Sequence, residues 1–295
     1  MKKILFIFRK KSREPIPEKK QHLTGWVEDC RNMYEVKFWG QGFNKNVKLN
    51  ALKKQIDIFK PDFIYMTMQN RYTSWLPDLT NITVPKIYVE VDSYKCNRND
   101  SWYDQFDKIY CRQAWWKSVF YSRDRSVHPK FAVNSKTWNK VPVFKWSVPQ
   151  EAFPKKEHRR NGIFFLGAVR RRGYTDRKMM YERFKDRIIC IKIFGQSYWH
   201  ALHKASALVC PTESSYGSFV PSKLFEFLAS GAAVLTNCDL DLYGTPELKD
   251  VVIPYTNLDS LDGKLRFQFR KFYNKAIPIM KEKHTHRIRY KELFG

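Results

Sequence analysis

Short, uniformly apolar runs rich in Ile, Val, Phe and Tyr recur along this chain and alternate with polar, helix-compatible segments. That alternation restricts the fold more than any other feature. The first runs are 4–8, 35–39, 63–68, 85–91, 108–111 and 130–133. A strand exposed on one face alternates apolar with polar residues, whereas one covered on both faces does not. The runs therefore predict a parallel sheet held between layers of helix. Between them, Val47, Leu49, Leu52, Ile56 and Phe59 fall at helical spacing. Strand and helix in turn are the pattern of a doubly wound α/β domain.

A second series repeats the pattern. Strands are expected at 162–167, 188–194, 207–210, 232–236 and 251–254, with helices near 179–184, 198–205 and 221–230. The tail, 261–294, is helical in pattern with Pro278 as its interruption. Between the two series lie Val141-Pro142-Val143, Val148-Pro149 and Phe153-Pro154, then the charged run Lys155 to Arg160. This stretch reads as a linker. A chain of 295 residues with 43% hydrophobic content can fill two cores. The expected domains are 1–150, 151–272 and a helical tail, 273–295, that packs back on the first. Sheets of this kind bind ligands beyond the carboxyl ends of their strands, so the crevice between the halves is the expected active site.

Charge narrows the partners. The chain carries 54 Lys+Arg against 29 Asp+Glu, a net +25. Such an excess favours a polyanion, because neutralised phosphates release counterions. Nucleic acid, an anionic membrane surface and an anionic glycan all qualify. No apolar run reaches the length of a membrane span, and the first one is too short for a signal peptide. The six cysteines include no CxxC pair and no zinc-like spacing. Reduced, buried thiols in a cytoplasmic protein are expected.

The segment Ser215 to Thr236 carries the chemistry. A helix opens at Pro221-Ser222, where Pro suits a first turn and Ser can cap. Its amino end suits a diphosphate, and Lys223 adds a cation there. Glu226, one turn in, can accept from two ribose hydroxyls. Gly231 ends the helix before a buried strand. The stretch Pro221-Ser222-Lys223-Leu-Phe225-Glu226-Phe-Leu-Ala229-Ser-Gly231 resembles the donor motif of retaining GT-B glycosyltransferases. It is closest in kind to the group 1 proteins related to the spore maturation protein CgeB. Phe165-Leu-Gly167 with the basic residues that follow resembles their phosphate loop, and His284-Thr-His-Arg-Ile-Arg-Tyr290 their closing helix.

The resemblance implies a GT-B fold, with two Rossmann-like domains facing a central cleft. It implies a nucleotide-diphosphate sugar as donor, a UDP-sugar first, with no obligatory metal cofactor. Glu226 matches the ribose-binding Glu, and Lys223 and Arg171 fall where diphosphate-binding cations are expected. The family's first Glu would fall at Ser218, a departure that leaves retention or inversion open.

Ser222, Lys223, Glu226, Gly167, Arg170, Arg171 and Ser218 thus make up the expected donor site, with Arg177 and Lys178 as further phosphate candidates. Planar guanidinium groups suit phosphate oxygens. Asp92, after the run 85–91, is the candidate catalytic base, with Glu90 on the same face. His22 and His128 are weaker candidates for proton transfer. Asp239-Leu-Asp241 has the two-acid spacing of a metal site but reads as a chance loop. On the acceptor side, Arg9 and Lys11 belong to a basic edge with Lys2 and Lys3. Tyr94, Trp115, Trp102, Tyr103 and Trp146 supply aromatic faces that can stack on bases or sugars, while ordinary core and interface packing is expected to account for most of them. The expected reaction is glycosyl transfer to an anionic acceptor, first a 5-hydroxymethyl pyrimidine in DNA, as in phage DNA glucosyltransferases. A cell-surface or capsid glycan, with peripheral contact to anionic membrane, is the second expectation. A nucleic-acid-binding protein on a GT-B scaffold is the third.

Overall fold

The computed structural model describes residues 1–9, 28–68, 73–90, 100–112, 142–156, 158–167, 169, 175–191, 196–212, 220–241 and 243–295. The chain clusters into two compact units. Their divide falls between Lys145 and Trp146, and the terminal Tyr290–Gly295 returns to the first unit.

The first unit holds strands β1 (Lys3–Ile7), β2 (Glu35–Trp39), β3 (Phe63–Met68), β4 (Lys86–Glu90) and β5 (Lys108–Cys111), with helix α1 (Leu49–Phe59). They form one parallel sheet in the order β2-β1-β3-β4-β5. All five residues of β4 are buried, its charged ends included. Lys86 Nζ donates to the Ile82 carbonyl at 2.7 Å and pairs with Asp107 at 3.2 Å. Glu90 accepts from the Tyr88 hydroxyl at 2.6 Å and from that of Tyr103 at 3.4 Å. A buried charge is tolerable only when paired in this way. Edge strand β2 alternates exposed and covered residues. Helix α1 buries Leu52 and Phe59, with Leu49 and Ile56 packed on the same core. It stops at Lys60, whose left-handed backbone (φ 52°) returns its N–H to the Ile56 carbonyl ahead of Pro61.

The second unit repeats the plan. Strands β6 (Asn161–Leu166), β7 (Ile188–Ile191), β8 (Ala205–Cys210), β9 (Ala233–Thr236) and β10 (Ile253–Pro254) are parallel in the order β10-β9-β8-β6-β7. Counted from its own first strand, each sheet runs 2-1-3-4-5. The order reverses between β1 and β3 in one unit and between β6 and β8 in the other. These switch points are where ligands bind in open α/β sheets. Helices α2 (Thr175–Phe184), α3 (Gln196–Lys204), α4 (Ser222–Ala229), α5 (Leu258–Lys264), α6 (Ile277–Lys283) and α7 (His286–Phe294) complete the chain.

Two expectations change. The segment 251–254 shortens to β10 because Pro246–Val251 is a 3-10 turn. The tail, 261–294, holds the end of α5, a 3-10 turn at Phe269–Phe272 and helices α6 and α7, and Pro278 opens α6 instead of breaking a helix. A missing N–H costs nothing in a first turn. The divide between the units falls inside the stretch read as a linker, whose described residues make backbone hydrogen bonds. Cys111 N–H donates to the Pro142 carbonyl and Phe144 N–H to that of Cys111, while Val148 exchanges bonds with His284 and His286. The expected strand at 130–133 lies outside the described residues.

A buried polar network ties α6 and α7 into the second unit. Arg289 Nη2 reaches His284 Nδ1 at 3.0 Å, and His284 Nε2 lies 3.0 Å from Glu247 Oε1. Guanidinium has no acceptor, so Nδ1 accepts and Nε2 holds the proton given to Glu247. The His284 ring also meets Phe225 of α4 edge-on at 5.1 Å. At the other end of α7, Phe294 packs on Tyr34, Phe63 and Tyr65 in the first unit.

Candidate functional site

The switch point of the second sheet opens beyond Leu166 of β6 and Cys210 of β8. Helix α4 begins beside it. Pro221 is its N-cap, with extended backbone and no side-chain hydrogen bond to the first turn. Ser222 is therefore the first helical residue, where a cap was expected. Trp146 braces the approach, since its indole Nε1 donates to the Val220 carbonyl at 2.9 Å. Its own N–H donates to the Tyr243 hydroxyl at 2.8 Å, so this Trp is structural.

From the first turn of α4, the Lys223 ammonium reaches back and donates to the Leu166 carbonyl at the end of β6. A Cβ built on Gly167 would stand 3.1 Å from Lys223 Nζ and 3.2 Å from the Phe165 ring. Glycine at 167 leaves room for the lysine. One turn on, Glu226 is 3% exposed. The Tyr198 hydroxyl, from α3, donates to its Oε2 and fixes the carboxylate's orientation. From the first turn of α2, the Arg177 guanidinium lies 5.8 Å from the centre of the Phe165 ring. The buried Tyr255 hydroxyl has no hydrogen-bond partner among the described residues.

These groups shape one another's ionisation. Burial pulls the Lys223 pKa below its usual value and the Arg177 charge adds to this, while Glu226 opposes it. The Tyr198 phenol is pushed well up by burial and by the Glu226 charge, so it stays a donor. Tyr255 and the Cys210 thiol are raised chiefly by burial. Beside a guanidinium, the partly buried lysine calls for negative charge that Glu226 supplies only in part. A diphosphate would meet that need, with the amino end of α4 behind it.

Bound phosphate raises the lysine pKa again, which sets a pH dependence. Should UDP occupy this site, its affinity will be flat between pH 7 and the depressed pKa of free Lys223. It will then weaken as pH rises toward the pKa of the bound form. The fall will begin below the usual lysine range. Lys223→Arg will remove that fall, as calorimetric titration from pH 7 to 10 can show; a Lys223→Arg curve that still falls would mean another group titrates.

Asp92, Arg170, Arg171, Ser218, Lys11, Tyr94 and Trp115 lie outside the described residues, as do His22 and His128. Arg9 is exposed just past the carboxyl end of β1, next to the switch point of the first sheet. Lys2 and Lys3 sit at the opposite end of β1. Lys2 bonds the Phe294 carbonyl and Lys3 pairs with Glu35, so neither borders the carboxyl edge. Tyr103 is buried in the core, Trp102 packs partly buried against it, and both rings meet Tyr88. Asp241 is ion-paired with Lys249. Among the described residues no cluster of His, Cys, Asp and Glu is arranged to hold a metal, and no helix is long and apolar enough to cross a membrane. Tyr198 and Tyr255 were not foreseen as site residues. Each reaches the site across the fold, and nothing in local spacing marks them.

No family profile matches the chain, and no curated protein matches it. Solved structures do. The chain is similar to AviGT4, a glycosyltransferase involved in avilamycin A biosynthesis, with TM-score 0.60 and 10% identity over 99% of this chain and 96% of that one. It is similar to sucrose-phosphate synthase from Thermosynechococcus elongatus, with TM-score 0.59 and 9% identity over 100% and 98%. It is also similar to UDP-GlcNAc 2-epimerase from Neisseria meningitidis bound to UDP-GlcNAc, with TM-score 0.51 and 9% identity over 99% and 98%. Identities this low speak to architecture alone. The chain has the GT-B fold, two α/β units each built on a five-stranded parallel sheet.

Proposed function

We propose that the protein is a glycosyltransferase that takes a sugar from a nucleoside diphosphate, UDP first, and passes it to a hydroxyl of an anionic acceptor. One observation carries the reading. The second switch point brings together Lys223, Arg177 and Glu226, with the start of α4 against the end of β6. In this reading Lys223 and Arg177 hold the diphosphate, and Arg170, Arg171 and Ser218 are further proposed donor-binding residues. Glu226, set by Tyr198, takes the ribose hydroxyls. Asp92 is the proposed base, drawing the proton from the acceptor hydroxyl as that oxygen attacks the anomeric carbon. Charge on the departing diphosphate is neutralised by the same cations.

The acceptor we place first is DNA carrying 5-hydroxymethyl pyrimidines, with Arg9 and Lys11 on its phosphates and Tyr94 and Trp115 stacking on the displaced base. Its support is the +25 net charge. The test is transfer of labelled glucose from UDP-glucose to duplex DNA with and without the hydroxymethyl group. Label on the modified DNA alone is the expected result, falling steeply between about 50 and about 200 mM salt. Donor hydrolysis without labelled DNA would move the acceptor to a glycan. An epimerised sugar would favour the chemistry of the UDP-GlcNAc-bound neighbour. No turnover of any donor would leave a binding protein on this fold.

A further inference from the structure

A second charged site lies at the opposite end of the same sheet. Two adjoining cavities of about 800 Å³ each open by the amino ends of β6 and β8, and share Lys155, Lys156 and His158. A six-residue strand separates this edge from the carboxyl edge by about 20 Å. The first cavity adds Arg159, Arg270 and Tyr273, and the second adds His200, His203 and Trp199. Among the described lining residues Glu151 is the one carboxylate. Lys155, Lys156, Arg159 and Arg270 have no ion-pair partner among the described residues.

The wall between the cavities is rigid. Arg160 donates to the carbonyls of His203, Ala205 and Ser230 and to Asn274 Oδ1, all at 3.1–3.3 Å. Its guanidinium lies over the Tyr273 ring at 5.0 Å. That arginine is committed to structure. Beside it the His158 ring stacks on His203, with centroids 5.7 Å apart, and meets His200 edge-on at 6.5 Å. Burial, Lys156, His200 and Arg160 pull the His158 pKa down, and burial, His158 and Arg160 do the same to His203. Cations crowded in half-covered cavities with one carboxylate near are placed to take a multiply charged anion.

We infer that these paired cavities form a binding site for a small oligophosphate, separate from the donor site, with one phosphate over Arg159 and Arg270 and another over the histidines. Lys155 and Lys156 bridge the two. The apolar floor of Trp199, Phe153 and Tyr273 gives an organic moiety a place to lie.

The test reads the imidazoles, which report on this edge whatever happens at the donor site. Proton NMR titrations of the ring C–H signals are recorded with and without inorganic tripolyphosphate, using His158→Gln and His203→Gln for assignment. A bound anion stabilises imidazolium, so the pKa values of His158 and His203 will rise by about one unit. Lys156→Glu with Arg159→Glu, both at exposed positions, will cancel the rise. Curves that do not move, or that move equally with sodium chloride at matched ionic strength, overturn the site. A single-stranded oligonucleotide that shifts the same signals at far lower concentration than tripolyphosphate would also overturn it, by making nucleic acid the ligand.

Discussion

Glu226→Ala will weaken binding of UDP-glucose about a hundredfold, and Lys223→Ala will do so by a comparable factor. Hydrogen bonds to a charged group contribute about 1.5–3 kcal/mol each, and one kilocalorie is about a fivefold change. In the proposed donor site Glu226 accepts from two ribose hydroxyls and Lys223 donates to the diphosphate. The two losses differ in kind. Without Glu226 the affinity for the nucleoside itself falls, whereas without Lys223 affinity for uridine is kept and only the diphosphate is lost. Titrating uridine, UDP and UDP-glucose into both variants separates these cases. Glu226→Ala also strands the buried Tyr198 hydroxyl, which costs stability without touching a ligand. Glu226→Ala combined with Tyr198→Phe removes that complication. If the double variant binds UDP-glucose as tightly as the parent, the donor site is not at α4.

Much of this architecture is legible in the chain because its central strands are covered on both faces. The runs at 63–68, 85–91 and 207–210 contain few polar residues, and all three become inner strands. The start of α4 is legible too, since Pro221, Ser222 and Gly231 mark its ends locally. What stays hidden is contact between elements distant in sequence. The Tyr198 hydroxyl meets Glu226 across 28 residues, and Arg160 meets Asn274 across 114. Neither pair leaves a period or a motif. Trp102 and Tyr103 show the converse. Aromatic residues in a basic half of the chain suggest a binding surface, but both rings are taken up by packing on Tyr88. Lys2 and Lys3 fail for a topological reason, because only residues after a parallel strand reach its carboxyl edge.

Gly231 lies between the end of α4 and the amino end of β9, and its replacement gives the other large effect. In the sequence it reads as a helix terminator, and the backbone agrees: Ser230 closes α4 and Gly231 follows at φ 75°. That alone makes alanine unfavourable by about 1 kcal/mol. The surroundings add more. A Cβ at 231 would lie 2.3 Å from Asn274 Oδ1, 2.9 Å from Arg160 Nη2 and 3.0 Å from Ile277 Cδ1. Asn274 is itself held at φ 62° and its N–H donates to the Gly231 carbonyl, so it cannot simply swing aside. The clamp that Arg160 forms with Ser230 and Asn274 must open. Gly231→Ala will therefore destabilise the fold by about 3 kcal/mol, lowering Tm by about 6–12 °C. Asn274→Gly suits that backbone and removes the nearest atom, so adding it to Gly231→Ala will restore part of the loss. A Gly231→Ala protein that unfolds at the parent temperature would mean the Arg160 clamp is not closed around this residue. Partial rescue by Asn274→Gly would show instead that the glycine which ends α4 also holds the basic cavities in shape.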